Sequence, residues 1–159
     1  MIYSSACAYA IQAMARLALL RPDGYVLLED ICEGADLPRH FVAKIFQDLV
    51  RHGLLTSAKG RGGGFALGRK PEKISLLDIL AVVDGTETLD ACMVGMGECN
   101  DQQPCAMHDH FQPLRQALRE FLERTTLADM NDSLRGKIEA SGKKVPKPKT
   151  RSKPLRIIY

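Results

Sequence analysis

The sequence predicts a mainly α-helical chain with one small β-hairpin, followed by a long C-terminal helix. Three observations predict it. Apolar residues recur every three or four positions through most of the first 85 residues, the period of amphipathic helices. A glycine-rich stretch, Lys59-Gly60-Arg61-Gly62-Gly63-Gly64, separates two short apolar runs, which marks a hairpin. A second helical pattern begins near position 108, after a cysteine-bearing stretch without period. At 159 residues the chain holds about one domain's core.

The elements follow in order. Ala6, Tyr9, Ala10, Ala13, Met14, Leu17 and Ala18 trace one buried face of a first helix, which Pro22-Asp23-Gly24 ends in a turn. A short helix over 28–33 stops at Gly34. Pro38 opens the next helix, where its missing N–H costs nothing, and Phe41, Val42, Ile45, Phe46, Leu49 and Val50 give that helix an apolar stripe. Two helices joined by a short turn, the second one basic, form a helix-turn-helix pattern. Strands over 54–57 and 65–67 flank the glycine-rich tip, giving the shape of a wing. Ser75 and Asp78 form a capping box before Leu76, Leu77, Ile79, Leu80, Val82 and Val83, and Asp84-Gly85 closes that helix. In the late helix, over 108–125, Phe111, Leu114, Leu118 and Phe121 step three, four, three, the spacing of a coiled-coil seam. The divisions are therefore a winged helix-turn-helix domain at 1–85, a cysteine-bearing loop at 86–107, a dimerisation helix and cap at 108–130, and a basic tail at 131–159. That tail, with Pro146, Pro148 and Pro154 among lysines, reads as disordered.

Charge separates sharply along the chain. Residues 1–38 carry −3, 39–73 carry +6, 74–130 carry −7 and 131–159 carry +7, which together make the net +3. A short basic block inside the folded part is the footprint expected of a nucleic-acid contact. No apolar run approaches the length that crosses a bilayer, and the amphipathic start does not read as a signal peptide, so no membrane association is expected. Five cysteines are an odd number for a disulfide framework and point to a reducing, cytoplasmic setting. With no Trp and few aromatics, a base-stacking platform for single strands is disfavoured.

The basic block has the residue types of a groove reader. Arg39, His40, Ala43, Lys44 and Gln47 form the polar face of the second helix of the pair. Arg and Gln read base edges with paired hydrogen bonds, Lys neutralises phosphate, and a small Ala permits close approach. In the wing, Lys59, Arg61 and Gly62 bring cations on a thin backbone that lies close to DNA. A nucleotide phosphate loop is the rival reading of Gly60–Gly64. It lacks the Gly-Lys-Ser/Thr that would follow and the strand-to-helix setting.

The stretch 41–49, then Gly53-Leu54-Leu55, then Gly60-Arg61-Gly62-Gly63-Gly64-Phe65 resembles the Rrf-type winged-helix transcription regulators, the IscR-, NsrR- and RirA-like proteins of bacteria. Tyr9-Ala10-Ile11, Ile74-Ser75-Leu76-Leu77-Asp78-Ile79 and Thr126-Leu127-Ala128-Asp129 are similar too, so the resemblance covers about residues 1–130. It implies a homodimer on a palindromic operator, in many members with an iron–sulfur cluster as sensor.

Cys92, Cys99 and Cys105 sit in a polar loop, and thiolates are the ligands that iron–sulfur clusters prefer. His108 matches the histidine that IscR-like relatives use as fourth ligand. Position 8 is Ala8, so the aspartate ligand of some NsrR-like relatives is absent, and Cys7 beside it is the alternative fourth ligand, reaching from the partner subunit. A [2Fe-2S] and a [4Fe-4S] cluster both remain open. So do structural zinc on the same Cys₃His set, a metal-free thiol sensor, and silent cysteines. Cys32, among apolar neighbours, reads as an inert core residue.

The expectation is a DNA-binding transcription regulator, read as a repressor, with activation an open alternative. It binds double-stranded operator DNA as a homodimer and senses cluster, nitric oxide or redox status through the loop. The alternatives are a cluster-free or thiol-based regulator, or an interaction protein that modulates an enzyme. An enzyme is not expected, because no nucleophile–base pair and no carboxylate–histidine set with an open metal position is present.

Overall fold

Helix α1 (Ser5–Leu20) forms the centre of the molecule. Periodicity predicts one buried face, yet Cys7, Ile11, Ala15 and Leu19 are buried along with Ala10, Ala13, Met14, Leu17 and Ala18. The cause is side-chain size. Six alanines keep this helix slim, so neighbours approach its axis from several directions. Those neighbours are α2 (Leu28–Cys32), α3 (Arg39–Arg51), α4 (Leu76–Val83), α7 (Leu127–Ala140) and strand β2 (Gly64–Leu67). The chain is described here from a computed structural model, for residues 3–20, 23–33, 35, 37–97 and 99–148.

Helices α2 and α3 are the helix-turn-helix, and Pro38 stands at the N-cap of α3 with φ −69°. Val42, Ile45, Phe46 and Leu49 turn inward. Phe41, expected in the same stripe, is 43% exposed and meets the Tyr9 ring edge-on at 5.9 Å between centroids. It lies about 100° around the helix from Val42, off the buried stripe.

Strand β1 (Leu55–Ala58) pairs antiparallel with β2 in the register Leu55↔Leu67 to Ala58↔Gly64, close to the expected boundaries. One partner was not evident in the sequence. Val26, ahead of α2, exchanges two 2.8 Å hydrogen bonds with Phe65 and adds a third, one-residue strand to the wing. The Phe65 ring packs edge-on against Phe46 at 5.0 Å, which seats the root of the wing on α3.

The expected capping box of α4 is present. Ser75 Oγ accepts from the Asp78 N–H at 3.1 Å, and the Ser75 N–H donates to the Asp78 carboxylate at 2.9 Å. Thr126 and Asp129 form a second box at the start of α7. The two caps face each other: the Leu76 N–H donates to the Thr125 carbonyl at 2.9 Å and the Leu127 N–H to the Ile74 carbonyl at 3.0 Å. Between them run α5 (Glu87–Asp90), the cysteine loop and α6 (His108–Arg124).

Two expectations need correction. The tail predicted as disordered from 131 is helical to Ala140, because Leu127 is fully buried, Met130 packs on the core and the helix lies along α1. Past it, 141–148 hold a turn and extended chain, and 149–159 lie outside the described residues. The seam on α6 also divides. Leu118 leans on the core, where the fully buried Leu122 anchors the helix, whereas Leu114 is 67% and Phe121 57% exposed. Among the described residues no helix is long and apolar enough to cross a membrane.

Candidate nucleic-acid interface and cysteine site

On α3 the buried stripe leaves Arg39, His40, Lys44 and Gln47 exposed and Ala43 half-buried. The predicted groove-facing residues therefore share one outward face. The first of them is not free. Its guanidinium pairs with Glu29 of α2 at 2.8 Å, a partner that charge pattern alone did not suggest. In the wing, Lys59 and Arg61 are exposed and Gly62 is half-exposed. The glycines there are structural. Gly64 has φ +127°, and a Cβ on it would stand 2.2 Å from the Val26 carbonyl oxygen. A Cβ on Gly63 would stand 2.2 Å from the Ala58 carbonyl oxygen.

The cysteine loop begins with a tight turn around one sulfur. The Cys92 N–H donates to the Gly97 carbonyl at 2.8 Å and the Gly95 N–H to the Cys92 carbonyl at 3.0 Å. Gly95 and Gly97 adopt φ +77° and +90°, conformations that other residues rarely take. Backbone N–H groups of Met96 and Val94 point at the Cys92 sulfur and lower its pKa below the usual thiol value, with the Cys105 thiol and the Gly95 N–H adding to the effect. Donors aimed at a sulfur stabilise the thiolate, which is the metal-binding form.

The four predicted donors stand as two pairs. Cys92 Sγ lies 3.7 Å from Cys105 Sγ, and Cys99 Sγ lies 3.2 Å from His108 Nδ1. Two sulfurs bound about 2.3 Å from one tetrahedral metal are about 3.8 Å apart, so the first pair has the spacing of joint ligands. His108 is 5% exposed, and its Nε2 meets the Asp101 carboxylate at 2.8 Å. A carboxylate on the far ring nitrogen fixes the imidazole and leaves Nδ1 toward the thiol, the second sphere that metal-bound histidines have. Sequence reasoning did not single out Asp101. Among the described residues no three His, Cys, Asp or Glu side chains gather into a single-ion site.

The other two cysteines stand apart. Cys7, the alternative fourth ligand, is fully buried in α1, and burial, with Asp84 nearby, pushes its thiol up to about 12. A thiol that resists ionisation and faces the core of its own subunit is a weaker candidate for a partner's site than the loop donors are. Cys32 is half-buried, its pKa raised by burial against the opposing pull of Arg39 and Arg16.

The loop opens onto a groove of about 870 Å³, with Leu89, Cys92 and Met93 on one wall and Phe111, Leu114 and Leu118 of α6 on the other. At its end the Asp84 carboxylate accepts the N–H and hydroxyl of Ser4, joining the start of α1 to the end of α4.

Residues 3–133 match the family model of Rrf2, described as an iron-dependent transcriptional regulator. An HTH-type transcriptional regulator of Aquifex aeolicus is 33% identical over 132 residues, covering 82% of this chain and 91% of that protein. Among solved structures, CymR, the global cysteine regulator of B. subtilis, superposes with a TM-score of 0.70 at 27% identity, over 82% of this chain and 95% of that one. IscR of T. potens superposes with a TM-score of 0.66 at 28% identity, over 86% of this chain and 88% of that one.

Proposed function

The chain belongs to the Rrf2 family of winged-helix transcription regulators, and from that premise we propose that it represses by binding operator DNA as a homodimer and senses iron–sulfur status through its cysteine loop. It is a regulator and not an enzyme, as the family is. The observation that carries the sensing reading is the double pairing of Cys92 with Cys105 and Cys99 with His108. A [2Fe-2S] cluster asks for two protein donors on each iron. Two separate pairs suit that demand better than a mononuclear zinc site, which needs four donors on one point. The donor set fits, and Cys92, Cys99, Cys105 and His108 would hold the cluster. Its chemistry is one-electron exchange and lability toward oxidants, nitric oxide and iron shortage.

The chain's own residues do the rest. The N–H groups around Cys92 lower its pKa and so favour the thiolate form, and Asp101 orients His108. Cys92 and Met93 form a wall of the groove against α6, so an ordered loop and a loosened one present different surfaces beside Leu114, which is exposed on α6 as Phe121 is. These exposed apolar residues stand seven positions apart on one stripe, the spacing of a helix seam. They support α6 as the subunit contact. Across such a contact a coupling of about 1–3 kcal/mol changes operator affinity about 5–150-fold.

Anaerobic purification tests the reading. The protein should carry iron and sulfide with visible absorbance, and Cys92→Ala, Cys99→Ala and Cys105→Ala should each bleach it. Removing the iron should change operator affinity at fixed salt. A colourless, iron-free protein that binds its operator equally before and after reconstitution would sink the sensing proposal and leave the regulator.

A further inference from the structure

Of the three loop thiols, two can reach each other and one is held elsewhere. Cys92 and Cys105 approach to 3.7 Å between sulfurs, against about 2.0 Å in a disulfide. The closing distance is small for a loop whose Gly95 and Gly97 are exposed and have open space around them. Cys99 is engaged with His108 at 3.2 Å, and His108 is fixed in turn by Asp101. Accessibility also differs, since Cys92 is 8% exposed and Cys105 is half-buried.

We infer that the iron-free loop is a peroxide-driven thiol switch in which Cys92 and Cys105 form an intramolecular disulfide while Cys99 stays reduced. Cys105, the more accessible of the two, gives up its thiol proton and attacks hydrogen peroxide, the O–O bond breaks, hydroxide leaves and a sulfenic acid forms. The Cys92 thiolate then attacks the sulfenic sulfur, the S–S bond forms and a second hydroxide departs. The two thiol protons and two hydroxides make two waters, so peroxide is reduced by two electrons and the thiol pair is oxidised by two. The bond pins the wall of the groove at Cys92 to the chain just ahead of α6, a covalent version of the order that a cluster would impose. The inference rests on thiol geometry and holds whether or not a cluster assembles.

The sequence supplies a direct test. No Lys or Arg lies between Lys73 and Arg115, so trypsin leaves all three thiols on one peptide. Cleavage before Asp90, Asp101 and Asp109 and after Glu98 places them on three. The full chain, reduced, stripped of iron and then treated with hydrogen peroxide, is quenched with N-ethylmaleimide, digested this way and analysed by mass spectrometry. The 90–98 peptide should be joined to 101–108, with Cys99 alkylated. Cys99→Ser should keep the link, and Cys92→Ser and Cys105→Ser should lose it. Circular dichroism confirms that each variant is folded. A link through Cys99, links only between chains, or over-oxidation without any disulfide each overturns the inference. Iron content and visible absorbance, measured on the untreated protein, report separately on the cluster.

Discussion

Replacing single glycines in the wing with alanine separates two costs that usually occur together. Gly60 has φ +83° and open space where a Cβ would go, so alanine there meets only backbone strain, about 1–2 kcal/mol. At Gly63 the new Cβ would be 2.2 Å from the Ala58 carbonyl oxygen. The hairpin must spread to admit it, at about 1–3 kcal/mol. Gly64 combines φ +127° with a 2.2 Å approach to the Val26 carbonyl oxygen, and that oxygen is part of the Val26–Phe65 bridge. Strain, overlap and a weakened bridge together make about 3–5 kcal/mol. At about 2–4 °C per kcal/mol for a chain of this size, Gly60→Ala should lower Tm by about 4 °C and Gly64→Ala by about 10 °C or more. Thermal unfolding followed by far-UV circular dichroism reads both. Equal losses for Gly60→Ala and Gly64→Ala, or none at Gly64, would refute the account of the wing as a hairpin clamped against the segment before α2.

Other outcomes follow from the same geometry. Arg61→Ala should weaken specific operator binding by about 1–3 kcal/mol if it reads bases, whereas Lys59→Ala should weaken all sequences alike and reduce the salt slope by about one unit. Titrations at several salt concentrations distinguish them, and unchanged affinity in both removes the wing from the interface. Because Leu114 and Phe121 are exposed in the protomer, Leu114→Asp with Phe121→Asp should preserve helicity yet sediment as a monomer; a persistent dimer would place the subunit contact elsewhere. The N–H and hydroxyl of Thr126 hold the Asp129 carboxyl below its ordinary value. A lowered carboxylate pKa lends stability that is complete above the unfolded value and fades as pH falls through the folded one. Asp129→Asn should therefore flatten the acid limb of a stability–pH curve and leave its shape above neutrality unchanged, and an unaltered acid limb would contradict the second capping box.

What was legible in the sequence was mostly local. The capping box at Ser75, the glycine hairpin and the apolar stripe of α3 each need only neighbours a few positions away. Helix α7 was missed although Leu127, Met130, Leu134 and Ile138 keep helical spacing, because Asn131-Asp132-Ser133 and Gly136 are weak helix formers. Packing along α1 overrides that propensity, and a single sequence does not reveal it. The Val26–Phe65 bridge joins residues 39 positions apart, so nothing nearby signals it. At the candidate site the donors were readable as residue types at suggestive spacing. Their division into pairs, and the role of Asp101, depend on how the loop folds back onto α6.

The central position of α1 constrains how any signal travels. Both helices of the DNA-binding pair, the wing, α4 and α7 rest on one rod that is buried nearly all round. Bending the recognition helix alone would open packed surface on its neighbours, whereas turning the whole protomer disturbs little beyond the exposed stripe of α6. In the dimer proposed above, that packing would favour a lever over a hinge. Each half of a two-fold assembly would keep its internal shape, and the signal would be written in the angle and separation between halves. For a palindromic site, that distance is the quantity to which fit is most sensitive, since its half-sites are spaced by the turn of the double helix.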